Sequence, residues 1–153
     1  MISPTYGEIT FENMCRRIKS YIRADLQSDY TLTIGTDSQN HEMTKVVLVV
    51  AVCRKGKGGI FFYDIRRVKL IDNLRRKIFY ETNISLEAAN RITEYISLPI
   101  KNTDVLIHVD IGENGKTNAL IPEITGWVSN LGYQCLVKPD SYAASSIANR
   151  LSK

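Results

Sequence analysis

The sequence predicts an α/β fold: a five-stranded mixed sheet flanked by helices, with an extra helix ahead of it. Three observations predict it. A continuous apolar run at residues 46–53 and its two neighbours read as strands joined by short turns. Beyond them, helical and extended patterns alternate to the end of the chain. An amphipathic segment precedes the first strand. Strands that follow one another through short turns pair antiparallel, and strands reached through a helix are added parallel.

Residues 10–25 carry Phe11, Met14, Cys15, Ile18, Tyr21 and Ile22 at helical spacing. Thr10 is placed to accept a hydrogen bond from a first-turn amide. Residues 30–36 are short and rich in β-branched side chains, the first strand. Residues 46–53 lack polar alternation, as expected of a strand buried on both faces. Three glycines within 54–59 mark a hairpin turn into a third strand at 60–68. A long helical pattern follows over 73–97, with Leu74, Ile78, Ala89, Ile92 and Ile96 on one stripe and a weak stretch at 82–85 where it is open to a break. A fourth strand at 105–111, a helix at 116–131 stopped by Gly132, a fifth strand at 133–138 and an alanine-rich helix at 141–151 complete the order.

The 153 residues fit one domain, with the N-terminal helix at about 10–25 and the core at about 30–153. With 44% hydrophobic and 24% charged residues, a real core forms and wholesale disorder is excluded. The formal charge of +4 suits a polyanionic partner without requiring one. Cys15, Cys53 and Cys135 are odd in number and widely spaced, which argues against a disulfide framework or a cysteine zinc site. His41 and His108 are too few for a histidine metal site. Without a signal-like N-terminus or a bilayer-length apolar stretch, the expected location is the reducing cytoplasm.

Four acidic residues fall where such a sheet gathers side chains. Asp37 follows the first strand, Asp110 ends the fourth, Glu81 lies in the long helix, and Asp140 stands between the fifth strand and the last helix. If the first and fourth strands are parallel neighbours, Asp37 and Asp110 come together at their C-terminal ends. Two such carboxylates repel unless a cation or proton intervenes. Magnesium and manganese suit hard oxygen donors, and two ions roughly 4 Å apart activate water and stabilise the leaving oxygen of a phosphodiester. Glu87 rivals Glu81, but the helical period sets Glu81 on the flank of the apolar stripe and Glu87 toward water. Each residue also has a plain structural reading: a turn or cap for Asp37 and Asp110, an N-cap for Asp140, a flank charge for Glu81.

The segments Ile34-Gly35-Thr36-Asp37-Ser38-Gln39, Gly56-Lys57-Gly58-Gly59, Glu81-Thr82, His108-Val109-Asp110-Ile111-Gly112 and Lys138-Pro139-Asp140-Ser141-Tyr142-Ala143-Ala144-Ser145-Ser146 resemble the YkuK-type family of ribonuclease H-like proteins. The likeness runs from about Phe11 to Lys153 and implies a ribonuclease H-like fold and a predicted nuclease. Metal ligands of that superfamily sit on the first strand, first core helix, fourth strand and last helix. By position these become Asp37, Glu81, Asp110 and a residue near the last helix. There the chain departs from the pattern: Asn149 stands where an Asp is common, so Asp140 is the carboxylate offered from the helix start.

Gly112-Glu113-Asn114-Gly115-Lys116-Thr117 imitates a phosphate loop, but Asp110 occupies the position of the first glycine, so the pattern fails. Lys116, beside a helix N-terminus, is instead a candidate phosphate contact. Lys138, near the carboxylates, is a second, and Asn149 a third. Arg54, Lys55, Lys57, Arg66, Arg67, Lys69, Arg75, Arg76 and Lys77 form either a basic strip for backbone phosphates or a solvated hairpin and its exit. Tyr6, Trp127 and Tyr142 read as packing residues before base-stacking ones, and His41 as a loop histidine.

The sequence thus leads to a magnesium- or manganese-dependent nuclease acting on RNA, DNA or a hybrid, with Asp37, Glu81, Asp110 and Asp140 as ligands. The alternative is a non-catalytic nucleic-acid-binding module on the same scaffold, which the Asn149 departure supports. A third reading is an interaction protein using its first helix.

Overall fold

The computed structural model describes residues 1–96 and 103–138. Among the described residues, seven strands form one sheet in the order β2-β1-β5-β4-β3-β6-β7. The predicted strands are β3 (Tyr30–Asn40), β4 (Thr44–Arg54), β5 (Gly59–Val68), β6 (Thr103–His108) and β7 (Gln134–Leu136). β3, β4 and β5 are antiparallel, whereas β6 joins β3 in parallel and β7 joins β6 in parallel. The two extra strands, β1 (Ile2–Ser3) and β2 (Gly7–Glu8), form a small hairpin against the outer edge of β5. Strands of two residues carry no period, so this hairpin is invisible to pattern. Its turn depends on Ser3 Oγ, which accepts from the amides of Thr5 and Tyr6 at 3.2 and 3.3 Å, and on Gly7 at φ +73°.

Helix α1 (Phe11–Arg23) starts where Thr10 accepts from the Asn13 amide at 3.0 Å. Helix α2 (Leu74–Ile96) is one unbroken helix. The weak stretch does not break it because its hydroxyls are engaged: Thr82 donates back to the Ile78 carbonyl at 2.8 Å, and Ser85 meets Thr36 of β3 at 2.7 Å. The next helix begins later than its predicted start at 116. A 3-10 turn (Asn118–Leu120) leads into α3 (Ile121–Asn130), whose first turn holds Pro122, a residue that fits only where no amide bond is needed. Gly132, at φ +90°, follows its end. The helix expected at 141–151 lies outside the described residues, as do Asp140, Tyr142 and Asn149.

The main core lies on one face of the sheet. There Tyr30, Leu32 and Ile34 of β3 and Val46, Leu48, Val50 and Val52 of β4 meet Ile18, Ile78, Ile92 and Ile124 of the helices. Val47 and Val49 point to the other face and pack with Tyr63 and Ile65. That division explains the unbroken apolar run of β4, which has a hydrophobic environment on each side.

Candidate metal and phosphate site

β3 is longer than predicted and runs on to Asn40, paired throughout with β4. Asp37 therefore does not follow the strand but lies within it, opposite Val47. Since side chains alternate, Asp37 shares the face of Val47 and Val49, whereas Thr36 and Ser38 share the helix-covered face. β6 conversely ends at His108, two residues before Asp110. Its register sets Gly35 beside His108, so the continuation of the two parallel strands carries Asp37 and Asp110 to the same end of the sheet.

Asp37 is 7% exposed. Burial, and after it the charge of Asp110, raises its carboxyl above the usual range; Lys77 and Lys138 act in the opposite sense. Glu81 projects from α2 onto the helix-covered face and accepts a 2.7 Å hydrogen bond from Ser38 Oγ. Its burial pushes its pKa up to about 8, with the charges of Asp37 and Asp110 adding to the rise and the Ser38 bond and Lys77 opposing it. Thr36, Glu81, Ser85, His108 and Asp110 line one narrow cleft where α2 passes the end of β6. Asp110 thus connects the two sides: it flanks Glu81 in the cleft and repels Asp37 across the strand end. Lys138, just after β7, places Nζ 2.6 Å from Asp110 Oδ1.

Glu87 is exposed and accepts from Asn83 at 3.2 Å, leaving Glu81 as the acid of α2 that meets β3. Lys116 stands exposed on the turn before the 3-10 helix, and the ammonium at Asp110 is that of Lys138. Two roles were not read from sequence, that of Ser38 and that of Lys77, which the sequence sets in the basic strip. Ser38 holds Glu81, and Lys77, one helical turn before Glu81, tempers both buried acids. The signals were present in the two-residue period of β3 and in the i, i+4 spacing of α2.

Four of the nine cations in the basic strip are committed elsewhere. Arg54 donates to the Tyr21 carbonyl at 2.7 Å and Tyr30 Oη at 3.0 Å, with its guanidinium 4.2 Å from the Tyr21 ring centre. Lys57 pairs with Asp25 at 3.0 Å, Arg66 with Asp64 at 3.4 Å and Arg75 with Glu123 at 2.7 Å. Trp127 stacks on Phe79, and Tyr6 stacks on Phe62 beneath Arg17. His41 is exposed in the β3–β4 turn.

Among the described residues, no three His, Cys, Asp or Glu side chains converge closely enough to hold an ion. The donor set still fits magnesium or manganese. Magnesium is commonly held by one or two carboxylates, with waters and substrate phosphates filling the remaining positions. Asp37 and Asp110 are hard oxygen donors in mutual repulsion, and the ammonium against Asp110 already provides a positive charge there.

Residues 13–153 match the model of the family described as Ribonuclease H-like. The chain belongs to the ribonuclease H-like family. It is 37% identical over 162 residues to the uncharacterized protein YkuK of Bacillus subtilis (strain 168), covering 96% of this chain and 93% of that one. Among solved structures, endonuclease V from Bacillus subtilis is similar with a TM-score of 0.34 and 12% identity, over 70% of this chain and 48% of its own. The chain therefore spans about half the length of that endonuclease. The Mos1 transposase catalytic domain, solved with raltegravir and magnesium, gives 0.33 and 12% over 95% of this chain and 76% of its own. Among the described residues, no helix of this ribonuclease H-like chain is long and apolar enough to cross a membrane, and the three cysteines are free thiols.

Proposed function

We propose that this ribonuclease H-like protein is a magnesium- or manganese-dependent nuclease acting on RNA or DNA. One observation carries the reading: the buried Asp37 and the strand-end Asp110 repel each other at the C-terminal ends of the parallel neighbours β3 and β6. When bound, the metal supplies charge neutralisation at a phosphodiester and a nucleophile at neutral pH. Asp37 and Asp110 would hold it. Glu81, which keeps its proton below a pH of about 8 in the metal-free protein, would give it up to serve as a third ligand, with Asp140 as the fourth carboxylate. Lys138 and Lys116 would meet phosphate oxygens, and Asn149 is a further candidate substrate contact.

Lys138 on Asp110 also favours a second reading, a nucleic-acid-binding module without catalysis, because an ammonium can satisfy that carboxylate with no metal. Calorimetric titration of manganese into wild type and Asp37→Asn, with cleavage of labelled RNA and DNA oligonucleotides in parallel, separates the two. The nuclease reading expects saturable binding and cleavage in wild type, both lost in the mutant. Salt-sensitive oligonucleotide binding that survives Asp37→Asn, with no cleavage in either protein, leaves only the binding module.

A further inference from the structure

We infer that Lys138 is a tethered counter-cation of Asp110: it competes with the divalent ion for that carboxylate and passes to a substrate phosphate when the ion binds. The inference rests on the metal-dependent reading above and adds a regulation of the same site.

The placement of Lys138 is built into the sheet. Beyond the ends of the paired strands the ladder continues: the Val109 amide donates to the Leu136 carbonyl at 2.9 Å, and the Lys138 amide to Ile111 at 2.8 Å. These bonds bring Lys138 alongside Gly112. A Cβ on Gly112 would stand 3.0 Å from Lys138 Cβ, 3.7 Å from Cδ and 3.9 Å from Cγ. The lysine stem thus lies along a position that only hydrogen leaves open, and its Nζ ends 2.6 Å from Asp110 Oδ1. The same ammonium is within electrostatic range of Asp37 and Glu81.

An oxygen that accepts an ammonium at this distance does not offer the same lone pair to a metal. The competition is mild, because the Lys138 side chain is 58% exposed and the Asp110 side chain 31% exposed, and solvent screens such pairs. A divalent ion therefore displaces the ammonium. The four-carbon stem, still tethered beside Gly112, leaves a flexible point charge at the site where a phosphate arrives.

The test is a pair of measurements with opposite signs. Manganese alone is titrated by calorimetry into wild type, Lys138→Met and Gly112→Ala. A nuclease-resistant phosphorothioate single-stranded oligonucleotide is then titrated into the same proteins with manganese saturating. Lys138→Met should bind manganese about 3- to 10-fold tighter, the scale of a screened ion pair plus one repelling charge, and bind the oligonucleotide more weakly. Gly112→Ala, which crowds the stem without removing its charge, should shift manganese affinity the same way by a smaller factor. In magnesium titrations, the Nζ resonance of Lys138 in 15N-lysine-labelled wild type should move with the calorimetric midpoint. Equal or weaker manganese binding by Lys138→Met overturns the inference while the metal-dependent reading stands. An absence of manganese binding in wild type and both variants overturns the two together. Manganese binding that appears only in Lys138→Met supports the competition.

Discussion

Asp37 and Ser38 are neighbours in sequence and serve opposite faces of the sheet. Ser38 reaches across the helix-covered face to Glu81 at 2.7 Å, while Asp37 leaves toward the side of Val47 and repels Asp110. One dipeptide therefore fixes an acid on α2 and supplies another itself. Removing the hydroxyl in Ser38→Ala leaves a buried carboxyl without this partner. We expect a loss of about 1–2 kcal/mol in unfolding free energy, measured by urea denaturation at pH 6. Ser38→Thr, which keeps a hydroxyl, should recover part of it. A Ser38→Ala protein as stable as wild type would mean that Glu81 finds solvent instead.

The raised carboxyls make stability depend on pH in a defined direction. Glu81 titrates at about 8 when folded against an ordinary 4.5, so between those values the folded protein holds a proton that the unfolded chain has released. The stabilisation is complete below the ordinary value and is lost as pH rises through about 8. Metal-free protein should lose at most about 1.4 kcal/mol per pH unit from this one group over that window. Asp37 is shifted in the same sense, so Glu81→Gln should flatten the dependence without abolishing it. Denaturation series at pH 5, 6, 7 and 8 in chelator test this. A stability that rises with pH across the window would contradict the burial of Glu81.

How far the site could be read from the sequence follows from the same physics. The antiparallel meander, the parallel addition of β6 and the choice of Glu81 over Glu87 all rest on periodicity, which reports the direction a side chain faces. Periodicity does not report where a strand stops. The polar end of β3, through Asp37, Ser38 and Asn40, looks like a turn because its pairing with β4 is satisfied by backbone rather than by an apolar face. Ser85 looks like a helix breaker because its partner, Thr36, is remote in sequence, whereas Thr82 makes the local back-bond to the carbonyl four residues earlier that a helical threonine can form. The Lys138–Asp110 contact depends on strand register and on the missing Cβ of Gly112, which no local pattern contains.

Arg54 tests whether the basic hairpin is a phosphate strip. Its guanidinium is spent on Tyr21 O, Tyr30 Oη and the Tyr21 ring, tying the β4–β5 hairpin to the end of α1. Tyr30 Oη in turn donates to the Asp25 carbonyl at 2.6 Å. Arg54→Ala should lower stability by about 1–3 kcal/mol, combining a charged hydrogen bond with a cation–ring contact. For a chain of this size that is a fall of several degrees in melting temperature, roughly 2–4 °C per kcal/mol. Oligonucleotide affinity at fixed salt should barely change in the folded mutant. A large loss of affinity at unchanged melting temperature would restore the strip.

Asp37→Asn separates a structural acid from a site acid. In a purely structural role, replacing Asp37 would remove a useful interaction and cost stability whether or not metal is present. Here burial and the Asp110 charge disfavour its ionised form, and Lys77 and Lys138 compensate only in part. The neutral amide keeps the shape and removes the repulsion. In chelator at pH 7.5, Asp37→Asn should therefore unfold at higher urea than wild type, by about 1 kcal/mol, the usual gain when an unfavourable charge is relieved. Adding millimolar magnesium or manganese should then raise the melting temperature of wild type and leave that of Asp37→Asn unmoved, because only wild type binds the ion in its folded state. The two proteins should exchange rank as metal is added. If Asp37→Asn is less stable in chelator and gains as much from metal as wild type, Asp37 is an ordinary strand residue and the cation belongs elsewhere.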